Sequence, residues 1–282
     1  MNQVLVTVLF GLAAALFWGS GDFSGGLASR RAKATSVIII AYALGFVFLI
    51  ALALVFREPF PQPSDFLWGG LAGVAGGLGL LAFYSALSSG KMGIAAPVSA
   101  SLTATLPVLF SVFTVGLPRP LQLGGFALAV VAIALISRPD EAGKVNGSAE
   151  GIGLALLAGC GFGLFFILIS RVSPATTFGS LSIARFSSVA VLLALAGLRR
   201  QPVSVGRAVL PLVAVAGGLD ALGNVFFLLA AHSGRLDVAA VVASLYPAAT
   251  VLLAALVLRE RVRRIQAVGI VLALIAIPLI SA

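Results

Sequence analysis

The chain has 282 residues, 60% hydrophobic and 10% charged, with 18 Lys and Arg against 9 Asp and Glu and a net charge of +9. A soluble domain carries about 25% charged residues, so this composition excludes a soluble globular fold and points to an integral membrane protein. The positive excess lacks the aromatic-interleaved patches of nucleic-acid binders, and a single cysteine, Cys160, excludes an intrachain disulfide.

Crossing a hydrocarbon layer about 30 Å thick takes about 20 apolar residues. In chain order such runs fall at 4–28, 36–56, 66–88, 93–115, 121–137, 151–170, 178–198, 208–231, 237–258 and 265–282. The first has no basic leader and no convincing cleavage site, so it is expected to stay as a membrane helix. The longest polar stretch separates residues 1–138 from 151–282, and 139–150 is expected to be the linker. The fold class expected is therefore all-α, an integral membrane protein of ten transmembrane helices.

The two halves share one text. Residues 86–137 return at 230–281, about 144 residues later. Ser89-Gly90-Lys91 recurs as Ser233-Gly234-Arg235, and Gln122 with Gly125 as Gln266 with Gly269. VAGGL occurs at 74–78 and 215–219, and Gly19 falls on Gly161. Homologous halves of apolar helices are the signature of a transporter scaffold. Five segments per half is an odd number, so the second copy must enter the bilayer upside down, as an inverted five-helix repeat. Thirteen Lys and Arg lie in odd-numbered loops and only Arg57, Arg119, Arg171 and Arg235 in even ones. The excess of positive charge on the cytoplasmic side then puts both termini in the periplasm or exterior. Small-xxx-small pairs such as Gly21/Gly25, Gly73/Gly77 and Gly159/Gly163 suit close helix packing.

Ionisable groups inside a span are costly and face a cavity or a partner. Three stand out: Asp22 in the first segment, Arg185 in the seventh and Asp220 in the eighth. None is duplicated, since Asp22 aligns with Leu164 and Asp220 with Gly79. Helical rise places Asp220 about 16 Å and Arg185 about 10 Å below the same membrane face, within reach of each other. Asn224 follows Asp220 by one turn on the same face. Ser99 and Ser244 lie near Pro97 and Pro247, and proline frees carbonyls that can line a cavity. Trp18, Tyr84 and Tyr246 offer amphipathic faces to an organic substrate. These nine residues form the candidate substrate site; a structural ion pair and ordinary helix packing are the alternatives. With no HExxH, GxSxG, phosphate loop or metal-spaced cluster, no catalytic residue, metal or cofactor is expected.

Three stretches carry a family resemblance: FWGSGDF at 17–23, the AxxSGxxxxAA turns of segments 3–4 and 8–9, and VLRERVxxxQxxGxxL at 257–272. The chain resembles the ten-helix members of the drug/metabolite transporter superfamily, built from two EamA domains. The resemblance implies a secondary transporter or facilitator working by alternating access in the cytoplasmic membrane. Its cargo would be small polar metabolites, amino-acid-like first, with export the expected direction. It also implies a path between the halves; the polar residues put segments 1, 4, 8 and 9 along it, and the repeat symmetry with the resemblance adds segments 3 and 6. The partners expected are the substrate and the bilayer, with the chain a monomer or homodimer. A lipid-linked flippase and a channel-like permease are the rival readings. The four-helix relatives carry a membrane Glu in their first helix where this chain has Leu16, which argues against proton-coupled drug efflux.

Overall fold

The computed structural model describes residues 3–88, 92–138 and 149–281. The turn at 89–91 and residues 139–148 of the expected linker lie outside the described residues. In hydrocarbon every backbone N–H and C=O must be satisfied within its own segment, so the apolar runs fold as helices. They are α1 Gln3–Ser29, α2 Ala34–Val55, α3 Pro63–Ser88, α4 Met92–Thr114, α5 Pro120–Ile136, α6 Ala149–Ile169, α7 Thr177–Leu198, α8 Leu210–Ser233, α9 Leu236–Ala243, α10 Tyr246–Leu258 and α11 Arg264–Ser281. Among the described residues nine stretches are long and apolar enough to cross a bilayer, with α9 and α10 forming one of them. The 17-residue α5 is the shorter tenth.

The ninth segment is not one continuous helix. It breaks at Ser244–Leu245 because Pro247, in the first turn of α10, has no N–H to return to the carbonyl of Ala243. Pro97 and Pro107, by contrast, stay inside α4.

Glycine contacts give the helix directions. α1 runs against α8, with Trp18 at Gly223 and Gly21 at Ala216 and Asp220, and runs with α9–α10, with Gly11 at Ala239 and Gly19 at Ala249. The second half repeats this. α6 runs against α3, with Gly161 at Gly79 and Phe165 at Gly76, and runs with α4, with Gly159 at Ser99 and Gly163 at Leu106. α2 runs with α8 and α3 with α7. Since α2 and α3 are consecutive spans joined by a short loop, and so antiparallel, α1 and its counterpart α6 point in opposite directions. The repeats are inverted, and each half packs into the other rather than on itself.

Three helices meet their own counterparts about a pseudo-twofold axis: α2 packs on α7, α4 on α9, and α5 on α11. The α5–α11 pair explains the duplicated glutamines. Gln122 accepts from the N–H of Arg119 at 3.2 Å and donates across to the carbonyl of Ile280 at 3.2 Å. Gln266 accepts from Arg263 at 3.1 Å and donates to Ile136 at 3.5 Å. Each glutamine caps its own helix and ties down the end of the other. One core surrounds Trp18, Phe166 and Phe227, and a second surrounds Ile133, Val241 and Ile280.

The tightest seams are also duplicated. A Cβ on Gly73 would overlap the carbonyl of Ala184, and one on Gly217 that of Ala41. Gly73→Ala and Gly217→Ala should therefore each destabilise by about 1–3 kcal/mol, as overpacking does, and by similar amounts. Gly218→Ala, with no atom within 4 Å of the added methyl, should melt like the parent. Thermal unfolding in detergent checks this, and equal melting of Gly217→Ala and Gly218→Ala would contradict the seam.

Candidate substrate-binding site

The contact at Gly217 brings α8 against α2, and the contact at Gly21 brings it against α1. Asp220, one turn beyond Gly217, is thereby directed into the angle between α2, α7 and α8. There the Asp220 carboxylate forms an ion pair with Arg185. The Arg185 side chain is only 9% exposed, and that of Asp220 is 26% exposed. Asn224 Nδ2 donates to the Asp220 carbonyl at 2.7 Å and to its carboxylate at 3.5 Å. The guanidinium carbon of Arg185 lies 4.0 Å from the centre of the Tyr42 ring, a cation–π contact. Arg185 and Asp220, matched by depth in the sequence, are thus side by side.

Tyr42 was missed by sequence reasoning. The available signal was that it is the one side chain with a polar tip between Ser36 and the end of α2. The packing also corrects an alignment. Asp220 takes the place of Gly76, not Gly79, because Gly217 meets Ala41 as Gly73 meets Ala184 and each is followed three residues later by Asp220 or Gly76. Gly223 at Trp18 then matches Gly79 at Phe162, which puts Gly19 on Gly163 rather than Gly161 and Asp22 on Phe166 rather than Leu164. In the same register Arg185 is the counterpart of Tyr42, since Ala184 meets Gly73 as Ala41 meets Gly217.

Trp18 is buried beside this corner. It stacks on Phe166 at 5.5 Å between centroids, leans on Phe227 at 5.7 Å, and meets Tyr246 edge-on at 6.3 Å. Gly223 makes room for the indole, since a Cβ there would overlap Trp18. Asp22 lies one turn further along α1. It is exposed, has no hydrogen-bond or ion-pair partner among the described residues, and is within electrostatic reach of Tyr246. The structure therefore gathers Trp18, Asp22, Arg185, Asp220, Asn224 and Tyr246 on α1, α7, α8 and α10, with Tyr42 on α2.

The two serines are placed differently. Ser99 is buried at the α4–α6 seam, its hydroxyl donating to the carbonyl of Ala96 at 3.2 Å and its backbone against Gly159. Ser244 is fully buried in the break between α9 and α10. The Tyr84 side chain lies outside the described residues. Among the described residues no three His, Cys, Asp or Glu side chains gather to hold a metal ion.

The two faces of the bundle are closed unequally. On the face where α1 begins, Glu58 accepts the backbone N–H groups of Phe178 at 3.1 Å and Gly179 at 3.0 Å. Buried Asp65 accepts from the N–H of Ser173 at 2.8 Å and the hydroxyl of Thr176 at 2.9 Å. Both carboxylates serve the N-terminal end of α7, where free N–H groups and the helix dipole favour negative charge. On the opposite face the matching contact is neutral and longer, Ser36 Oγ donating to the carbonyl of Pro202 at 3.3 Å. The Arg30–Glu260 pair there, at 3.2 Å, has both side chains more than half exposed. Charge-assisted hydrogen bonds are the stronger class, so the first face is the more firmly sealed.

Residues 5–138 and 149–282 each match the model of the EamA-like transporter family. The chain belongs to that family. As an EamA-family chain it is a multi-pass membrane protein, in a family of small-molecule transporters. Among the solved structures similar in fold is a crystal structure with a TM-score of 0.76 over 97% of this chain and 95% of that one at 20% identity. No curated protein matches the sequence.

The buried corner of this EamA-family chain makes a sharp stability prediction. Asp220→Asn or Arg185→Gln alone strands a buried charge and should cost about 3–5 kcal/mol. The double neutral variant should recover most of that loss in a thermal melt. A double variant that loses the sum of the two single losses would show that the groups do not interact.

Proposed function

We propose that the protein is a secondary transporter or facilitator moving small, amino-acid-like metabolites across the cytoplasmic membrane by alternating access, in the direction of export. The observation that carries this reading is the asymmetry of charge in a symmetric scaffold. Helix packing needs no ionisable groups inside the bilayer, yet Asp22, Arg185 and Asp220 are kept there without counterparts in the other repeat. The corner thus presents one guanidinium and two carboxyl groups. A zwitterion supplies the complement: a carboxylate suited to the guanidinium and an ammonium suited to the carboxylates. Trp18 and Tyr246 add apolar faces with polar tips for a side chain.

The orientation proposed is with both termini in the periplasm or exterior, supported by the concentration of Lys and Arg in odd-numbered loops. The carboxylates Glu58 and Asp65 then seal the outer side, and the weaker closure faces the cytoplasm, where an exporter loads.

Counterflow into proteoliposomes preloaded with unlabelled L-amino acids tests the transport reading. Labelled amino acid should accumulate transiently with the parent and at least tenfold more slowly with Arg185→Gln, Asp220→Asn and Asp22→Asn at equal folded protein. Unchanged counterflow in the Arg185→Gln/Asp220→Asn double variant would reduce the pair to a structural bridge. Reporters fused after Ala282 test orientation separately: one active only outside the cytoplasm should work, and a cytosolic one should not. The opposite pattern reverses the orientation and with it the assignment of the sealed side.

A further inference from the structure

The two repeats carry different residues at the axis. Arg185 is the counterpart of Tyr42, and the two are in contact, with the guanidinium carbon 4.0 Å from the ring centre. Asp220 is the counterpart of Gly76, which offers no side chain. Inverted repeats reach the opposite-facing state when the halves exchange their conformations. That exchange maps the Tyr42–Arg185 contact onto itself. It maps the Arg185–Asp220 contact onto Tyr42 and Gly76, where no ion pair exists. Arg185 thus keeps Tyr42 in both states and is assured of Asp220 in one.

We propose that Arg185, held at the pseudo-twofold axis by Tyr42, is an anion subsite that exchanges the Asp220 carboxylate for a carboxylate of the ligand. Tyr42 is its positioning residue. The proposal rests on the reading of this corner as the binding site, and it narrows the substrate class to molecules bearing a carboxylate. A planar guanidinium suits a carboxylate, which can take two parallel N–H donors. The face of an aromatic ring attracts the cation most where water is excluded, and the Arg185 side chain is 9% exposed. The ring therefore holds the cation while Asp220 is released, so it does not stand bare in a low-dielectric interior. Asn224 Nδ2, 3.5 Å from the Asp220 carboxylate, is a second donor facing the same spot.

The test uses acetate as the probe and needs no transported substrate. Asp220→Ala removes the internal carboxylate beside Arg185; the counterpart position holds Gly76 in the same fold, so a small side chain fits, and the lost charge pairing lowers stability as for the other single variants. Acetate should raise the melting temperature of purified Asp220→Ala in a saturable way, while equimolar chloride and acetamide should not. Adding Tyr42→Leu should abolish the acetate shift, and Tyr42→Phe, which keeps the ring, should retain it. No acetate-specific shift, or one unchanged by Tyr42→Leu, overturns the proposal. If Asp220→Ala does not fold, Asp220→Ser carries the same titration. If neither folds, the otherwise parental protein decides: Tyr42→Leu must lower the melting temperature more than Tyr42→Phe does, and the difference must vanish when Arg185 is Gln. The acetate shift without amino-acid counterflow would keep the subsite and remove the amino-acid reading. Counterflow without the acetate shift would remove the subsite alone.

Discussion

Lipid tails are as apolar as the helices they surround, so nothing hydrophobic pulls one helix of this chain onto another. Association has to come from close packing, and the backbone itself must approach. That constraint explains the seams at Gly73 with Ala184 and at Gly217 with Ala41, where a single added methyl would meet a carbonyl. Because the seams join helices of opposite repeats, the halves interlock, and the packing that holds the bundle together also sets the geometry of its centre. Asp220 reaches Arg185 only because Gly217 lets α8 lie against α2, and Trp18 is buried only because Gly223 leaves the space.

On this symmetric frame the polar groups are one-sided. Arg185 replaces a tyrosine and Asp220 replaces a glycine, so an ion pair exists in one half with nothing equivalent in the other. The sealing contacts are one-sided too. Glu58 and Asp65 hold the start of α7 with charged acceptors, whereas the matching contact at Ser36 is neutral. A scaffold with two equivalent arrangements becomes a device with a preferred closed side when charges favour one of them. The geometry and the proposed transport are linked at that step.

Much of the frame was legible in the sequence, because crossing a bilayer imposes a length and a polarity that composition reveals directly. The repeat in residues 86–137 and 230–281 was legible because Gln122 and Gln266 each perform two hydrogen-bonding tasks that only glutamine at that position completes. Register inside the glycine-rich helices was not. VAGGL and its neighbours repeat small residues every three or four positions, so Gly79 and Gly76 are equally good partners for Asp220 until packing separates them. Proline was an ambiguous signal as well: Pro247 begins a new helix, whereas Pro97 and Pro107 stay within α4. Polarity was an ambiguous signal at Ser99 too, since a hydroxyl in a membrane helix can satisfy itself on a carbonyl of the preceding turn. Thr103 and Thr105 do the same, donating to Ser99 at 2.7 Å and Ser101 at 2.8 Å. Tyr42 was hidden in an aliphatic run, and its place opposite Arg185 follows only from the crossing of α2 and α7.

The central claim is that the charged corner at the axis binds the transported molecule. Ligands that bind only the folded protein raise its melting temperature, so a thermal-shift screen against amino acids, sugars and nucleotide-sugars addresses it most directly when run on two proteins at once. Zwitterionic amino acids should stabilise the parent and leave the Arg185→Gln/Asp220→Asn variant unmoved. Stabilisation by sugars or nucleotide-sugars alone, or an amino-acid shift of equal size in both proteins, would contradict the account.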